Sequence, residues 1–150
     1  MKRILVLGMG NTIRADDAVG IIAARRINKE LGRFIDVKET EEAGLNLLDL
    51  LLGYEKAVII DSIKTLNGRP GDVYIVEERQ LRQKSKPYSF HQMGIVTILE
   101  MAKKLGLDVP AEIFIYAIEI KKNDIFREGI SPETEKAIPR VLSLIRHILK

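Results

Sequence analysis

The sequence predicts an α/β protein whose mostly parallel sheet is covered by helices on both faces. Continuous apolar runs, typical of strands buried on both faces, alternate with segments whose apolar residues have helical spacing. The resulting order of strand, helix, strand, helix and strand requires crossover connections between parallel strands. The chain has 150 residues, 46% hydrophobic and 30% charged. This length and balance predict one globular domain over residues 1–150.

The first half of the chain supplies three predicted strands and two predicted helices. The strands are the apolar run Lys2–Leu7, the alternating segment Phe34–Glu39 and the apolar run Lys56–Asp61. Apolar residues at helical spacing predict helices over Asp17–Leu31 and Gly44–Leu52. With strand two on one side of strand one and strand three on the other, a ligand crevice is expected above the carboxyl ends of strands one and three.

The connection that follows Asp61 predicts a change of strand direction. Ten residues, SIKTLNGRPG, separate Asp61 from the next predicted strand, Asp72–Glu77, and they contain turn signals but no room for a crossover helix. The fourth strand is therefore expected to be antiparallel or to lie at an edge. The remaining elements are a helix over Gly94–Leu105, a strand over Ala111–Ile120, and a last helix that Ser131 caps and Pro139 kinks.

The composition excludes several classes of site and partner. The chain has no cysteine, which excludes disulfides, thiolate metal sites and cysteine nucleophiles. No apolar run has the length of a membrane span or the form of a secretory signal, so the cytoplasm is the expected compartment. The net charge is +3, and the basic segment Arg79–Pro87 lacks the interleaved aromatic residues of a nucleic-acid surface. We therefore expect no nucleic-acid partner.

The loop GMGNTIRADDAVG, Gly8–Gly20, follows the first strand and opens the first helix. A dinucleotide-binding fingerprint requires a third glycine where this chain has Ile13. Asp16 and Asp17 would also repel a pyrophosphate at the helix start, so a nucleotide-binding module is disfavoured. Two interpretations of the acidic pair stay open: the aspartates cap the helix N-terminus, or one of them faces a ligand in the crevice.

Two further residues are candidates to join Asp17 at the crevice. Asp61 follows the buried run AVII, where a carboxylate either accepts hydrogen bonds from loop amides or faces a ligand. His91, in YSFHQMG, stands just ahead of a predicted helix, whereas His147 is expected on the surface of the last helix. Two carboxylates and one imidazole, Asp17, Asp61 and His91, fit a divalent-metal site. Their spacing along the chain equally allows three unrelated structural roles.

Four segments of the chain resemble the nickel–iron hydrogenase maturation endopeptidases: LGMGNTIRADDAVG, AVIIDSI, SFHQMG and IEIKKNDIFREGISPETEKAI. They occur in the same order as in that family and extend along nearly the whole chain. The resemblance implies a three-layer α/β/α fold with a five-stranded mixed sheet in the order 2-1-3-5-4, strand four being antiparallel. It also implies that Asp17, Asp61 and His91 bind a metal, and that Asp16 is a capping residue or supports the ligands.

The chain departs from the family pattern at two places. Many members carry Glu where this chain has Asp17. After strand two the family commonly has a Gly-Thr-rich turn, where this chain has ETEEAG, so that Glu41 and Glu42 stand in place of small residues. Glu39 corresponds to an acidic residue of the family that is linked to cleavage. The altered turn is expected to suit a different partner subunit.

The resemblance implies an endopeptidase that removes the C-terminal extension of a hydrogenase large-subunit precursor after nickel insertion. The nickel is expected to arrive in the substrate, so that the protein senses it there. The expected partners are this precursor and nickel-insertion accessory proteins, and the expected oligomeric state is a monomer. One alternative stays open: a non-catalytic chaperone or checkpoint that binds the nickel-loaded subunit without cutting it.

Overall fold

A five-stranded sheet forms the centre of the computed structural model, which describes residues 3–13, 15–41, 46–77, 90–121 and 130–149, without the side chains of 90–93. The strands are β1 (Ile4–Met9), β2 (Asp36–Thr40), β3 (Lys56–Ile63), β4 (Val73–Glu77) and β5 (Glu112–Glu119). They lie in the order β2-β1-β3-β5-β4. The pairs β1–β2, β1–β3 and β3–β5 are parallel and β4–β5 is antiparallel. The expected strand order and the reversed fourth strand are confirmed.

Helices cover both faces of the sheet. They are α1 (Val19–Leu31), α2 (Asn46–Leu51), α3 (Phe90–Lys104), α4 (Pro132–Glu135) and α5 (Ala137–Ile148). A 3-10 helix, Ala15–Ala18, precedes α1. Buried side chains of α1 and α5 pack on one face of the sheet, and those of α2 and α3 pack on the other. The three-layer α/β/α architecture is therefore confirmed.

The alternation of side chains along β1 explains why both faces need a covering layer. Val6 packs into the core beneath α1 and α5, whereas Leu5 and Leu7 pack into the core beneath α2 and α3. All three side chains are completely buried. A strand with two apolar faces gives the continuous apolar run seen in the sequence.

Several element boundaries differ from the sequence-based expectation: β1, β2 and α1 each begin two residues later than predicted, at Ile4, Asp36 and Val19. β3 continues two residues past Asp61, which therefore lies inside the strand and not at its end. α3 begins at Phe90 and not at Gly94. The last helix is interrupted at Lys136, three residues before Pro139. The missing amide hydrogen of Pro139 explains a break at this position, since it cannot bond the preceding turn.

The connection from β3 to β4 contains no helix, as expected from its turn signals. A buried carboxylate organises it: Glu119 accepts hydrogen bonds from the amide of Thr65 at 2.8 Å and from the hydroxyls of Thr65 and Tyr74. Burial, together with this contact to Glu119, raises the pKa of Tyr74 above its ordinary value.

Across the described part of the chain, no helix has the length and apolarity needed to cross a membrane.

Candidate functional site

Glycines in the first loop allow α1 to lie directly against the sheet. A Cβ on Gly8 would collide with the carbonyl oxygen of Gly20 and with Ala24. A Cβ on Gly20 would collide with the carbonyl oxygens of Met9 and Ile60. These glycines therefore serve the close approach of helix and strand. They place the start of α1 beside the carboxyl ends of β1 and β3.

Asp17 and Asp61 converge on one serine at this edge of the sheet. Ser62 Oγ donates a hydrogen bond to Asp17 Oδ1 at 2.6 Å, across 45 positions of sequence. The backbone amide of Ser62 donates to Asp61 Oδ1 at 2.8 Å. Asp17 is half-buried, whereas Asp61 and Ser62 are 1% and 8% exposed. Hydrogen bonds through Ser62 thus link Asp17 to Asp61, two of the three residues that the sequence suggested as metal ligands, and their role as ligands stays a prediction.

The sheet fixes one side of this arrangement. Asp61 is paired with Ala117 of β5, and Ser62 is paired with Ile118. The backbone of both residues is held by a neighbouring strand, so their positions depend on the sheet and not on a loop. Asp17 instead lies in the 3-10 helix before α1.

His91 is described by its backbone, which lies in the first turn of α3. Its side chain lies outside the described residues. Among the residues whose side chains are described, no three His, Asp or Glu are grouped so that they could hold a metal ion. The three-ligand site formed by Asp17, Asp61 and His91 therefore stays a prediction.

Asp16 has different partners from its neighbour Asp17. Its Oδ1 accepts from the amide of Ser131 at 2.6 Å, and its Oδ2 accepts from the hydroxyls of Ser131 and Thr134, both at 2.9 Å. Burial opposes the charge of Asp16, but these hydrogen bonds outweigh it and hold the pKa of the carboxyl below its ordinary value. Asp16 thus joins the 3-10 helix to the start of α4, and it does not cap α1, whose N-cap residue Ala18 has no side-chain hydrogen bond.

The turn that carries the two aspartates begins at a strained residue. Ala15 has a φ of 44°, in the left-handed region that residues other than glycine seldom adopt. Ala15 and Ala18 are buried at the two ends of the turn. The turn directs Asp16 toward α4 and Asp17 toward β3.

Two glutamates, Glu39 near the end of β2 and Glu41 just after it, connect that strand to α1 and to the first loop. Glu39 forms a two-pronged ion pair with Arg25, with oxygen–nitrogen distances of 2.8 and 3.0 Å. Glu41 Oε1 accepts from the hydroxyl and the amide of Thr12 at 2.7 and 3.1 Å. The Thr12 hydrogen bonds lower the pKa of Glu41. A cavity of about 160 Å³ lies among these four residues, Ile21 and Thr40. Glu42 lies outside the described residues.

The sequence did not indicate Ser62, Ser131 or Thr134 as partners of the acidic pair. Ser62 had one local signal, its position directly after Asp61 at the end of the apolar run AVII. Ser131 was correctly expected to cap the last helix, and its Oγ accepts from the Thr134 amide. Its contact with Asp16 spans 115 positions and leaves no trace in local spacing.

Comparison with known proteins identifies the family. Residues 24–148 match the hydrogenase maturation protease family. The hydrogenase 2 maturation protease of Escherichia coli K12 is 24% identical over 151 aligned positions, which cover 99% of this chain and 91% of that protein.

Solved structures support the same assignment. The hydrogenase maturating endopeptidase HybD of E. coli superposes with a TM-score of 0.82 at 23% identity, over 98% of this chain and 91% of that one. The [NiFe] hydrogenase maturation protease HybD of Thermococcus kodakarensis gives 0.74 at 25% identity over 99% of both chains. The resemblance found in the sequence is confirmed. The chain belongs to the hydrogenase maturation protease family, whose members are peptide-bond hydrolases.

Proposed function

We propose that this protein is a nickel-dependent endopeptidase that removes the C-terminal extension of a nickel–iron hydrogenase large-subunit precursor. The observation that carries the proposal is the convergence of Asp17 and Asp61 on Ser62 at the carboxyl edge of the sheet. Open α/β sheets bind ligands at this edge, where neighbouring crossovers diverge. The family assignment supplies the reaction class, and the relatives' names supply the kind of substrate.

The chemistry of the two carboxylates supports nickel as the feature sensed in the substrate. Carboxylate oxygens and an imidazole are ordinary ligands for a first-row divalent metal, and a set without thiolate leaves coordination positions for the substrate's own groups. We propose that Asp17, Asp61 and His91 engage nickel carried by the precursor. A metal held there would polarise the peptide carbonyl that is to be cleaved. We further propose that the protein acts as a monomer in the cytoplasm.

The test is cleavage of purified precursor, loaded with nickel or nickel-free, followed by intact mass. We expect wild-type protein to shorten the nickel-loaded precursor by the mass of its C-terminal extension and to leave the nickel-free form unchanged. Asp17→Ala and His91→Ala should abolish cleavage, with folding checked by circular dichroism. Cleavage of both precursor forms at equal rates would contradict nickel dependence. A stable complex with the nickel-loaded precursor and no change in mass would contradict peptidase action and support a checkpoint.

A further inference from the structure

Ser62 contacts both candidate carboxylates and has no role in the chemistry described so far. We infer that Ser62 is a positioning residue that holds the Asp17 carboxylate beside that of Asp61, so that both engage one divalent cation. This inference rests on the proposed function and extends it to a residue that contacts neither the peptide nor the metal. Its basis is the pair of hydrogen bonds that Ser62 donates, one from its hydroxyl and one from its amide.

Ser62 is the fixed member of this contact and Asp17 is the adjustable one. Ser62 lies in β3, is paired with Ile118 and is 8% exposed. Asp17 is half-buried in a four-residue 3-10 helix. A serine hydroxyl has one hydrogen to donate, and here it is directed to Asp17. The orientation of the Asp17 carboxylate is therefore set by a side chain that the sheet holds in place.

The charge of Asp17 shows what the Ser62 hydroxyl contributes. Both residues that Ser62 contacts are acidic, and like charges repel each other. Hydrogen bonds to charged acceptors are shorter and stronger than those between neutral groups, and the 2.6 Å contact to Asp17 is of this kind. Without the Ser62 hydroxyl, Asp17 would lose the contact that ties its carboxylate to β3. The cation would then meet one well-placed carboxylate and not two.

The same contact should make the site selective for the length of the acidic side chain at position 17. A glutamate arm is longer by one carbon–carbon bond, about 1.5 Å. Starting from a 2.6 Å contact, an arm of that length would drive the carboxylate into Ser62 Oγ unless it adopted another rotamer. Removing the hydroxyl would give the longer arm room. Asp17→Glu and Ser62→Ala should therefore compensate each other in part.

The first experiment measures metal binding without the precursor. Nickel chloride is titrated into ¹⁵N-labelled protein, and paramagnetic broadening of the Asp61 and Ser62 amide signals gives the midpoint. Loss of a residue that orients a metal ligand costs about 10- to 100-fold in affinity, so Ser62→Ala should raise the midpoint about tenfold. Ser131→Ala is the matched control, because it removes the buried serine hydroxyl that contacts Asp16; it should lower Tm and leave the midpoint unchanged. A Ser62→Ala midpoint within twofold of wild type, or no broadening in wild type, would overturn the inference.

The second experiment uses the nickel-loaded precursor. We expect Ser62→Ala to lower kcat about tenfold with KM changed less than twofold, since it misplaces a ligand without altering the precursor-binding surface. The double variant Asp17→Glu/Ser62→Ala should process faster than Asp17→Glu alone. Wild-type rates in Ser62→Ala, or a double variant slower than Asp17→Glu, would overturn the inference and leave the proposed function intact. No cleavage by wild type would contradict the proposed function, and the nickel titration would still decide the role of Ser62.

Discussion

Asp16 and Asp17 are adjacent in the same 3-10 helix, yet they belong to different parts of the molecule. Asp16 is 7% exposed and accepts three hydrogen bonds from Ser131 and Thr134 at the start of α4. Asp17 is half-buried and, among the described residues, accepts a hydrogen bond from Ser62 in β3. The first carboxylate is tied to the start of α4, whereas the second is tied to the sheet.

This difference shows how an acidic pair at a helix start can divide structural and functional roles. A carboxylate has about four acceptor sites, and Asp16 uses most of them to hold α4 against the first loop. Asp16 is therefore held by the polar groups at the start of α4, whereas Asp17 is held independently by Ser62 of β3. One substitution applied to both positions should then give opposite patterns of activity and stability.

The largest expected effect is that of Asp17→Asn on activity. Asn retains an oxygen to accept the Ser62 hydrogen bond but lacks the negative charge that engages a cation. Loss of several kcal/mol of charge stabilisation corresponds to a fall in the processing rate of about 100-fold or more. Tm should stay within about 2 °C of wild type, since the contact to the sheet survives. The measurement is the rate of mass change of nickel-loaded precursor, beside a thermal melt of the same sample.

Asp16→Asn is the matched comparison, with its main effect on stability. The amide nitrogen of Asn would face donor groups of Ser131 and Thr134, which leaves a buried network partly unsatisfied. We expect a loss of about 3 kcal/mol in the free energy of unfolding. For a chain of this size that is a fall in Tm of roughly 6–12 °C. The processing rate at 25 °C should change less than threefold. A 100-fold loss of activity at unchanged Tm would place Asp16 in the site and end the contrast with Asp17.

The dependence of stability on pH should show how much the charge of Asp16 contributes to the fold. Burial opposes ionisation of Asp16, yet its hydrogen bonds lower the pKa of the folded-state carboxyl below the ordinary value of 3.8. A lowered folded-state pKa contributes stability that is present above pH 3.8 and is lost as the pH falls through the folded value. The gap in unfolding free energy between wild type and Asp16→Asn should therefore narrow below about pH 4. Urea unfolding of both proteins at pH 7, 5 and 3 measures this difference in unfolding free energy. A difference that stays constant with pH would show that the charge of Asp16 contributes nothing to stability.

The sequence predicted the sheet well because the evidence for it is local. The apolar runs around Leu5 and Ile59, and the turn-rich segment before β4, are determined by neighbours a few positions away. The start of α3 was placed four residues late because Gly94, a poor helix former, suggested a boundary and not a helix interior. The end of β3 was placed two residues early because Asp61 is charged. Inside the strand, the Ser62 amide donates a hydrogen bond to Asp61 Oδ1 and so partly offsets the cost of burying that charge.

The candidate site was predictable to a smaller extent. Asp17 and Asp61 could be proposed from topology, since the sequence placed both of them near the carboxyl ends of neighbouring parallel strands. Their link through Ser62, and the link of Asp16 to Ser131, depend on contacts across 45 and 115 positions. Such contacts arise from tertiary packing, and one sequence carries no local pattern that specifies them. His91 was proposed from residue type and family resemblance, and it stays a prediction.

The smallest expected effect concerns Glu41, which holds the first loop from the side of β2. Glu41→Ala removes the acceptor for both the hydroxyl and the amide of Thr12, but leaves the contacts of Asp16 and Asp17 in place. We expect faster hydrogen exchange at the Thr12 amide, by about tenfold or less, because the loop then opens locally without global unfolding. Exchange at the Ser131 and Ser62 amides should be unchanged. Glu39→Ala is the matched control, since its partner is Arg25 on α1 and not the loop. Faster exchange at the Ser131 amide in Glu41→Ala would mean that the first loop and the contacts of Asp16 with Ser131 and Thr134 open as one unit. The different roles of Asp16 and Asp17 would then depend on Glu41 as well as on the turn.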